Sequence, residues 1–147
     1  MKIIVRALAG ASYVLLMMVA VPWSSNAHAE PARDFESAPE EQTSREGTVM
    51  VKVAPRSLAP SAQSWDFEIT LDTHTQPLTQ DLVGATALID AAGNVHTPIG
   101  WEGDPPGGHH RQGLLRFQPP TGGQGVVELR MKAIGGIPVR VFRWQPR

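Results

Sequence analysis

The strict alternation of apolar and polar side chains between residues 65 and 72 is the feature that most constrains the fold. The apolar positions Trp65, Phe67, Ile69 and Leu71 alternate with the polar positions Asp66, Glu68, Thr70 and Asp72. Successive side chains of a β-strand point to opposite faces, so this period of two predicts a strand with one buried face. One side of its sheet therefore packs in a core, and the other side faces water.

Six further runs of β-prone residues are candidate strands: 48–54, 85–89, 94–97, 113–117, 126–132 and 139–144. No run has convincing helical spacing. The segments 90–94 and 135–136 are predicted to be hairpin connections, because Gly and Asn readily adopt positive φ. About seven short strands predict an all-β fold, namely an immunoglobulin-like or fibronectin-like antiparallel β-sandwich, with a small Greek-key barrel as the alternative.

In a sandwich, one apolar face of each strand fills the space between the sheets. The predicted core residues are Trp65, Phe67, Leu115, Phe117, Val127, Leu129, Val139 and Val141. The last strands also carry five basic residues beside Phe142 and Trp144: Arg130, Lys132, Arg140, Arg143 and Arg147. We expect these to form a solvated sheet face. The alternative is a surface for an acidic partner or anionic lipid head groups.

The N-terminal residues have the pattern of an export signal. Lys2 and Arg6 precede an apolar run over residues 7–21, and Ala27-His28-Ala29 matches a small-x-small cleavage site. The run is shorter than the ~20 residues that span a bilayer. Residues 1–29 are therefore predicted to be a signal peptide cut after Ala29, with cleavage after Ala27 as the alternative. The mature protein would be periplasmic or secreted, without a transmembrane segment.

Residues 30–46 are acidic and lack Val, Ile and Leu, which predicts a disordered tether before a single domain over residues 47–147. The chain has no cysteine, so packing rather than disulfides must hold that domain. Without the signal peptide, 11 basic residues remain against 14 acidic ones, a net charge of −3. A mildly acidic domain does not offer the dense basic surface that nucleic acid requires.

A loop rich in Gly and Pro over residues 101–111 carries His109 and His110. Counting by parity places Asp72 and His74 on the solvent face of the strand that starts at Trp65. If that strand end approaches the loop, these four residues could bind a divalent metal, with nitrogen and oxygen ligands favouring Zn²⁺ or Cu²⁺. The residues expected to support the loop or a small ligand are Trp101, Glu102, Gly107, Gly108 and Arg111.

The structural alternative for the same loop is a hydrogen-bond network. In it, the carboxylate of Asp72 or Glu102 accepts a hydrogen bond from a histidine and holds the loop in place. Adjacent histidines of an extended chain point to opposite faces, which favours this alternative. A third possibility is that the histidines are exposed and have no role. His96, on a short strand, is expected to be a surface residue. Cleavage after Ala27 would make His28 an N-terminal Cu²⁺ chelator.

The sequence does not favour an enzyme. Glycosidases hold two carboxyl groups rigidly across a cleft, and the Gly- and Pro-rich loop that carries Glu102 and Asp104 gives no sign of such an arrangement. A Gly-x-Ser-x-Gly motif, a phosphate-binding glycine loop and a zincin motif are absent from the sequence.

A combined pattern spans most of residues 65–144. It comprises Leu71-Asp72-Thr73-His74, then Trp101-Glu102-Gly103, Gly107-Gly108-His109-His110-Arg111 and Gly135-Gly136-Ile137-Pro138. This pattern resembles an uncharacterised family of exported β-sandwich domains of bacteria and archaea. The resemblance implies a fold and a compartment, but no activity and no catalytic residue.

Two functions are expected from these observations. The first is a non-catalytic exported domain that binds a divalent metal or small ligand through the histidine-bearing loop. The second is a protein-interaction module of the cell envelope whose histidines are structural and whose partner docks on an edge strand or on the Arg-rich sheet.

Overall fold

The chain folds as an all-β sandwich of two antiparallel sheets without a closed barrel, as the computed structural model describes it over residues 39–121 and 125–146. The predicted signal peptide and residues 30–38 of the predicted tether lie outside the described residues. The Greek-key barrel is therefore not the fold of the described part of the chain.

The first sheet contains five strands in the order β1-β2-β3-β7-β6: β1 (Gln42–Ser44), β2 (Val49–Pro55), β3 (Trp65–Thr73), β7 (His110–Phe117) and β6 (Gly100–Gly103). The second contains four in the order β5-β4-β8-β9: β5 (Val95–His96), β4 (Thr86–Ile89), β8 (Val127–Ile134) and β9 (Ile137–Trp144). A short helix, α1 (Leu82–Ala85), precedes β4. The carboxylate of Asp81 caps α1 by accepting from the N–H of Val83.

The alternation that predicts β3 is confirmed, because its odd-numbered residues are buried and its even-numbered residues are half-exposed. Phe67 is at the centre of the core. Its ring meets Phe117 of the same sheet edge to face at 5.6 Å between centroids, and Trp144 of the opposite sheet at 5.5 Å. Aromatic contacts of this kind contribute about 0.5–1.5 kcal/mol each beyond their buried area. They join the two sheets directly.

All seven predicted runs overlap observed strands, and both predicted hairpins are present. In the first hairpin, the N–H of Asp90 donates to the carbonyl of Asn94, and Gly93 has a φ of +87°. In the second, Gly135 and Gly136 both have positive φ, and they connect β8 to β9. The described residues contain nine strands rather than about seven, because β1 and β6 were not predicted.

Strand β1 corrects the predicted boundary of the tether, because residues 42–44 lie inside the segment expected to be disordered. Gln42 pairs with Val53 and Ser44 with Val51 in an antiparallel register. The strand buries little apolar surface. Polar contacts between its side chains and β9 hold it in place. The strand therefore has no run of apolar residues by which the sequence could have predicted it.

Strand β9 corrects the predicted core. Val139 and Val141 were expected inside, but they are 44% and 37% exposed. The even-numbered residues Arg140, Phe142 and Trp144 are buried instead. The reason is the two-residue turn before β9, which places Arg140 opposite the buried Met131 and therefore on the same face. Arg140 is therefore not on the solvated face where it was expected, and because Phe142 and Trp144 lie in the core, the alternative surface that mixes arginine with aromatic side chains does not form.

Two glycines allow Trp101 to lie flat against the sheet. A methyl group at Gly113 would lie 2.7 Å from Cζ2 of Trp101 and 2.6 Å from the carbonyl oxygen of Glu102. A methyl group at Gly103 would meet the same ring at 3.0 Å. By contrast, a methyl group at Gly100 on the same strand would meet no atom within 4 Å.

We therefore expect Gly113→Ala to destabilise the domain by about 1–3 kcal/mol, because the new methyl group must displace the indole or the backbone of β6. The matched variant Gly100→Ala should change the free energy of unfolding by less than about 0.5 kcal/mol. Urea unfolding followed by tryptophan fluorescence measures both. Equal stability of the two variants would contradict this account of the Trp101 contact.

Candidate functional site

His110 and Asp72 form a cross-strand pair at the end of the first sheet. They lie directly opposite each other in the register of β7 and β3, and Nδ1 of His110 lies 2.5 Å from Oδ1 of Asp72. Both side chains remain accessible to solvent. A neutral or protonated imidazole that donates from Nδ1 satisfies the carboxylate and fixes the ring orientation.

The remaining two histidines of the predicted site lie on the adjoining chain segments. The N–H of Thr73 donates to the carbonyl of His109 at 2.9 Å, so residues 72–74 run beside residues 109–110. The side chains of His74 and His109 are exposed. Over residues 39–121 and 125–146, no three His, Asp or Glu side chains are grouped so that they could hold a metal ion. The close contact is thus the pair formed by Asp72 and His110.

Gly107 and Gly108 shape the loop that leads into His109. Both have positive φ, and their backbones flank Leu78: the N–H of Gly107 donates to the carbonyl of Leu78, and the N–H of Leu78 donates to the carbonyl of Gly108. Leu78 is completely buried. The loop is therefore anchored to the core by two reciprocal backbone hydrogen bonds.

Arg111 and Trp101 form the buried side of the same loop. Arg111 is only 2% exposed, and its guanidinium lies 5.3 Å from the centroid of the Trp101 ring. The guanidinium donates to the carbonyls of Asp104 and Gln80, and the Trp101 indole also donates to the carbonyl of Asp104. Burial lowers the pKa of Arg111. These contacts stabilise the loop from inside, so Arg111 is not presented to a ligand at the surface.

The carboxylates of Asp104 and Glu102 on this loop have different partners. Oδ2 of Asp104 accepts from the backbone N–H of Gln112 at 2.8 Å, which closes the loop onto β7. Glu102 is exposed, and its carboxylate lies 3.6 Å from the guanidinium of Arg116. Arg116 is held mainly by Asp66 through two hydrogen bonds, which raise the pKa of Arg116.

A second histidine–carboxylate contact lies in the hairpin between β4 and β5. Nε2 of His96 lies 2.9 Å from Oδ2 of Asp90, so His96 is half-buried rather than a plain surface residue. Asp90 also accepts from the backbone N–H groups of Ala92 and Asn94 and from the Asn94 side chain. The hydrogen bonds from His96 and Asn94 hold the pKa of Asp90 well below its usual range. This cluster fixes the turn.

A cleft of about 450 Å³ separates β1 and the turn after it from β9. Arg140 lines this cleft and is 1% exposed. Its guanidinium donates to Oγ of Ser44 at 2.5 Å and to the carbonyls of Glu46 and Val49 at 2.5 and 2.8 Å. Burial lowers the pKa of Arg140. One buried cation thus joins an edge of the second sheet to the first sheet.

The free edge of β9 borders this cleft. The side-chain amide of Gln42 donates to the carbonyl of Arg143 at 2.5 Å and accepts from its N–H at 3.1 Å. The backbone groups of Arg143 therefore point away from β8. Backbone direction alternates along a strand, so those of Val139 and Val141 point the same way. No hydrogen bond among the described residues occupies the outward groups of these two valines.

The outer face of β8 and β9 combines these valines with charged side chains. Val141 lies opposite Arg130, Val139 opposite Lys132, and Arg143 opposite Glu128. Glu128 accepts hydrogen bonds from both Arg130 and Arg143, which lower its pKa. Lys132 makes no salt bridge with any described residue.

Comparisons of the chain with family models, with curated proteins and with solved structures find no match. In the described part of the chain, none of the helices combines the length and the apolar character needed to cross a membrane.

The Asp90 cluster generates a prediction about acid stability. The pKa of Asp90 is lower in the folded chain than the ~3.9 of an unfolded aspartate. Its hydrogen bonds therefore stabilise the fold fully above about pH 4, and this stabilisation is lost as the pH falls below that value.

Asp90→Asn should lower the melting temperature at pH 7, and the difference from the original protein should shrink when melting is measured at pH 3 and below. Glu41→Gln, which removes an exposed carboxylate, serves as the control and should change little at either pH. A constant difference for Asp90→Asn between pH 7 and pH 2.5 would contradict the role assigned to the ionised carboxylate.

Proposed function

We propose that this protein is a non-catalytic binding module of the cell envelope that takes up an extended segment of a partner protein along the free edge of β9. The observation that carries the proposal is the pair of exposed valines, Val139 and Val141, whose outward backbone N–H and C=O groups have no partner in the described residues. An added strand satisfies such groups and covers such side chains at once.

The open part of the edge is short and has defined ends. Pro138 lies at one end of it, and the amide of Gln42 occupies the backbone of Arg143 at the other. A side-chain cap such as that of Gln42 is an ordinary means of protecting an edge strand from uncontrolled pairing. The cap leaves Val139 and Val141 open, so pairing is confined to a short stretch of the edge.

The affinity expected from this edge is modest. Two outward residues provide four backbone hydrogen bonds, each worth about 0.5–1.5 kcal/mol net. The total of about 2–6 kcal/mol corresponds to dissociation constants between tens of millimolar and tens of micromolar, to which side-chain contacts add. A module of this type therefore suits reversible contacts, or contacts strengthened by several copies of the partner segment.

The proposal includes an immunoglobulin-like arrangement of the sandwich. If β2 to β9 are labelled A, B, C, C′, D, E, F and G, the sheet orders become A-B-E-D and C′-C-F-G, with β1 added next to A. Those are the orders of immunoglobulin-type sandwiches. In this scheme the open edge is strand G. Export rests on the signal-like sequence of residues 1–29.

Amide hydrogen exchange tests the proposed edge. In the free protein, the amides of Val139 and Val141 should exchange quickly and that of Phe142 slowly, because only Phe142 faces β8. Millimolar concentrations of a blocked synthetic peptide of alternating threonine and valine should slow exchange at Val139 and Val141.

The variant Val139→Pro, which removes one N–H of the open edge, should abolish the protection of the Val141 amide, whereas Val139→Thr keeps the N–H and should retain the protection at both positions. If the proline variant does not fold, amide exchange in the original protein with and without the peptide still tests whether a strand is added. Unchanged exchange at both valines in the presence of saturating peptide would reject strand addition.

Metal binding by the histidine-bearing loop is the second candidate. The observation that favours it is the approach of residues 72–74 to residues 109–110, which brings Asp72 beside His110. A third ligand would have to come from rotation of the exposed His74 or His109 side chain. Zn²⁺ and Cu²⁺ are the ions that such a set would hold.

Native mass spectrometry of the metal-stripped protein titrated with Zn²⁺ and Cu²⁺ tests this candidate. The double variant His109→Ala with His110→Ala is compared with the control His96→Ala. One tightly bound ion that is lost only in the double variant would establish a metal site. Absence of a stoichiometric ion in the original protein would reject it.

A further inference from the structure

We infer that the segment recognised by the β9 edge is acidic, with carboxylate side chains alternating along one face of an extended peptide. This inference rests on the proposed function and assigns a chemistry to its partner. The inference follows from the charged side chains around the open backbone groups. Their net charge is positive, whereas the net charge of the whole chain is negative.

The outer face of β8 and β9 is basic although the chain has a net charge of −1. The face carries Arg130, Lys132 and Arg143 against a single carboxylate, Glu128. Glu128 is shared by the two arginines, so about two positive charges on this face remain uncompensated by the described residues. Lys132 has no salt bridge among them.

The geometry places these charges beside an added strand. Strands of a sheet lie about 4.8 Å apart, so a segment paired with β9 would be two strand spacings from β8. Only Val139 and Val141 lie between them on the outer face. Because valine is short, the long side chains of Lys132 and Arg130 can lean over it, with their stems on the apolar surface and their charged ends towards the new strand.

The side of the added strand that faces the cleft meets different residues. Here an added strand would face Ser44, Arg45 and Glu46 across from the buried Arg140. A peptide with small or β-branched side chains on this face and carboxylates on the outer face fits both surroundings. A second copy of this chain fits poorly, because edge-to-edge pairing of β9 would bring two basic faces together.

The two lysines of the described chain provide a matched test. Lys132 lies on the basic face, whereas Lys52 of β2 lies on the outer face of the opposite sheet. Lys132→Glu and Lys52→Glu change the net charge equally. Only the first removes the proposed complementarity.

The experiment measures dissociation constants by NMR titration for three blocked peptides, in which valine alternates with glutamate, threonine or lysine. For the original protein we expect the glutamate peptide to bind at least about threefold more tightly than the threonine peptide, and the lysine peptide to bind most weakly. The preference should shrink between about 50 mM and 500 mM salt, because solvent-exposed charges are screened. Lys132→Glu brings this face to a net charge of about zero and should abolish the preference between the charged peptides, whereas Lys52→Glu should preserve it.

The outcomes separate this inference from the proposed function. If all three peptides protect the amides of Val139 and Val141 with equal affinity, the acidic partner is rejected and strand addition stands. If the lysine peptide binds best to the original protein, or if Lys52→Glu reduces the preference for the glutamate peptide as much as Lys132→Glu does, the assigned charge recognition is likewise rejected. If no peptide protects these amides, both proposals fail together.

Discussion

The burial of the Arg140 guanidinium is the interaction on which one whole side of this sandwich depends. A cation removed from water requires compensating acceptors, and here they are oxygen atoms of β1, of the turn after it and of β2. Arginine remains protonated even where burial lowers its pKa, so the charge cannot be avoided by deprotonation. The chain from Ser44 to Val49 must therefore stay folded around this side chain. That requirement explains how a polar segment with little apolar surface to bury becomes an ordered edge strand.

The same device occurs on β7, where Arg111 is buried and donates to carbonyls of two loops. There the cation also lies over the Trp101 ring, which adds a favourable electrostatic contact. The chain has no disulfide, and both arginines hold irregular segments against the sheets. Directional hydrogen bonds to backbone carbonyls position such segments more strictly than apolar contacts, which are not directional. The histidine-bearing loop owes its shape to this support.

The parts of the fold that could be predicted from sequence are those where burial and hydrophobicity agree. In β3 the apolar side chains are the buried ones, so alternation fixes the strand and its inner face. In β9 the two properties disagree: valines lie outside and an arginine lies inside. A prediction that places the apolar residues of the alternating pattern in the core then assigns the wrong face of β9 to the interior. The compensation for Arg140 comes from residues about ninety positions away, which local sequence cannot reveal. Likewise, the pairing of Asp72 with His110 is foreseen only as one of several possibilities, because register determines it.

The inverted pattern of β9 also links the stability of the sandwich to its proposed binding function. Placing Arg140 inside commits the odd-numbered positions of this strand to the outer face, because successive side chains alternate. Val139 and Val141 are thereby exposed next to Lys132 and Arg130. The contacts of Arg140 also bring β1 close enough for Gln42 to cap the backbone of Arg143. The buried arginine thus determines both which side chains an incoming strand meets and where its pairing must end. Loss of the Arg140 contacts would be expected to alter both the open edge of β9 and the packing of the core. The stability of the sandwich and its proposed binding edge therefore depend on the same side chain.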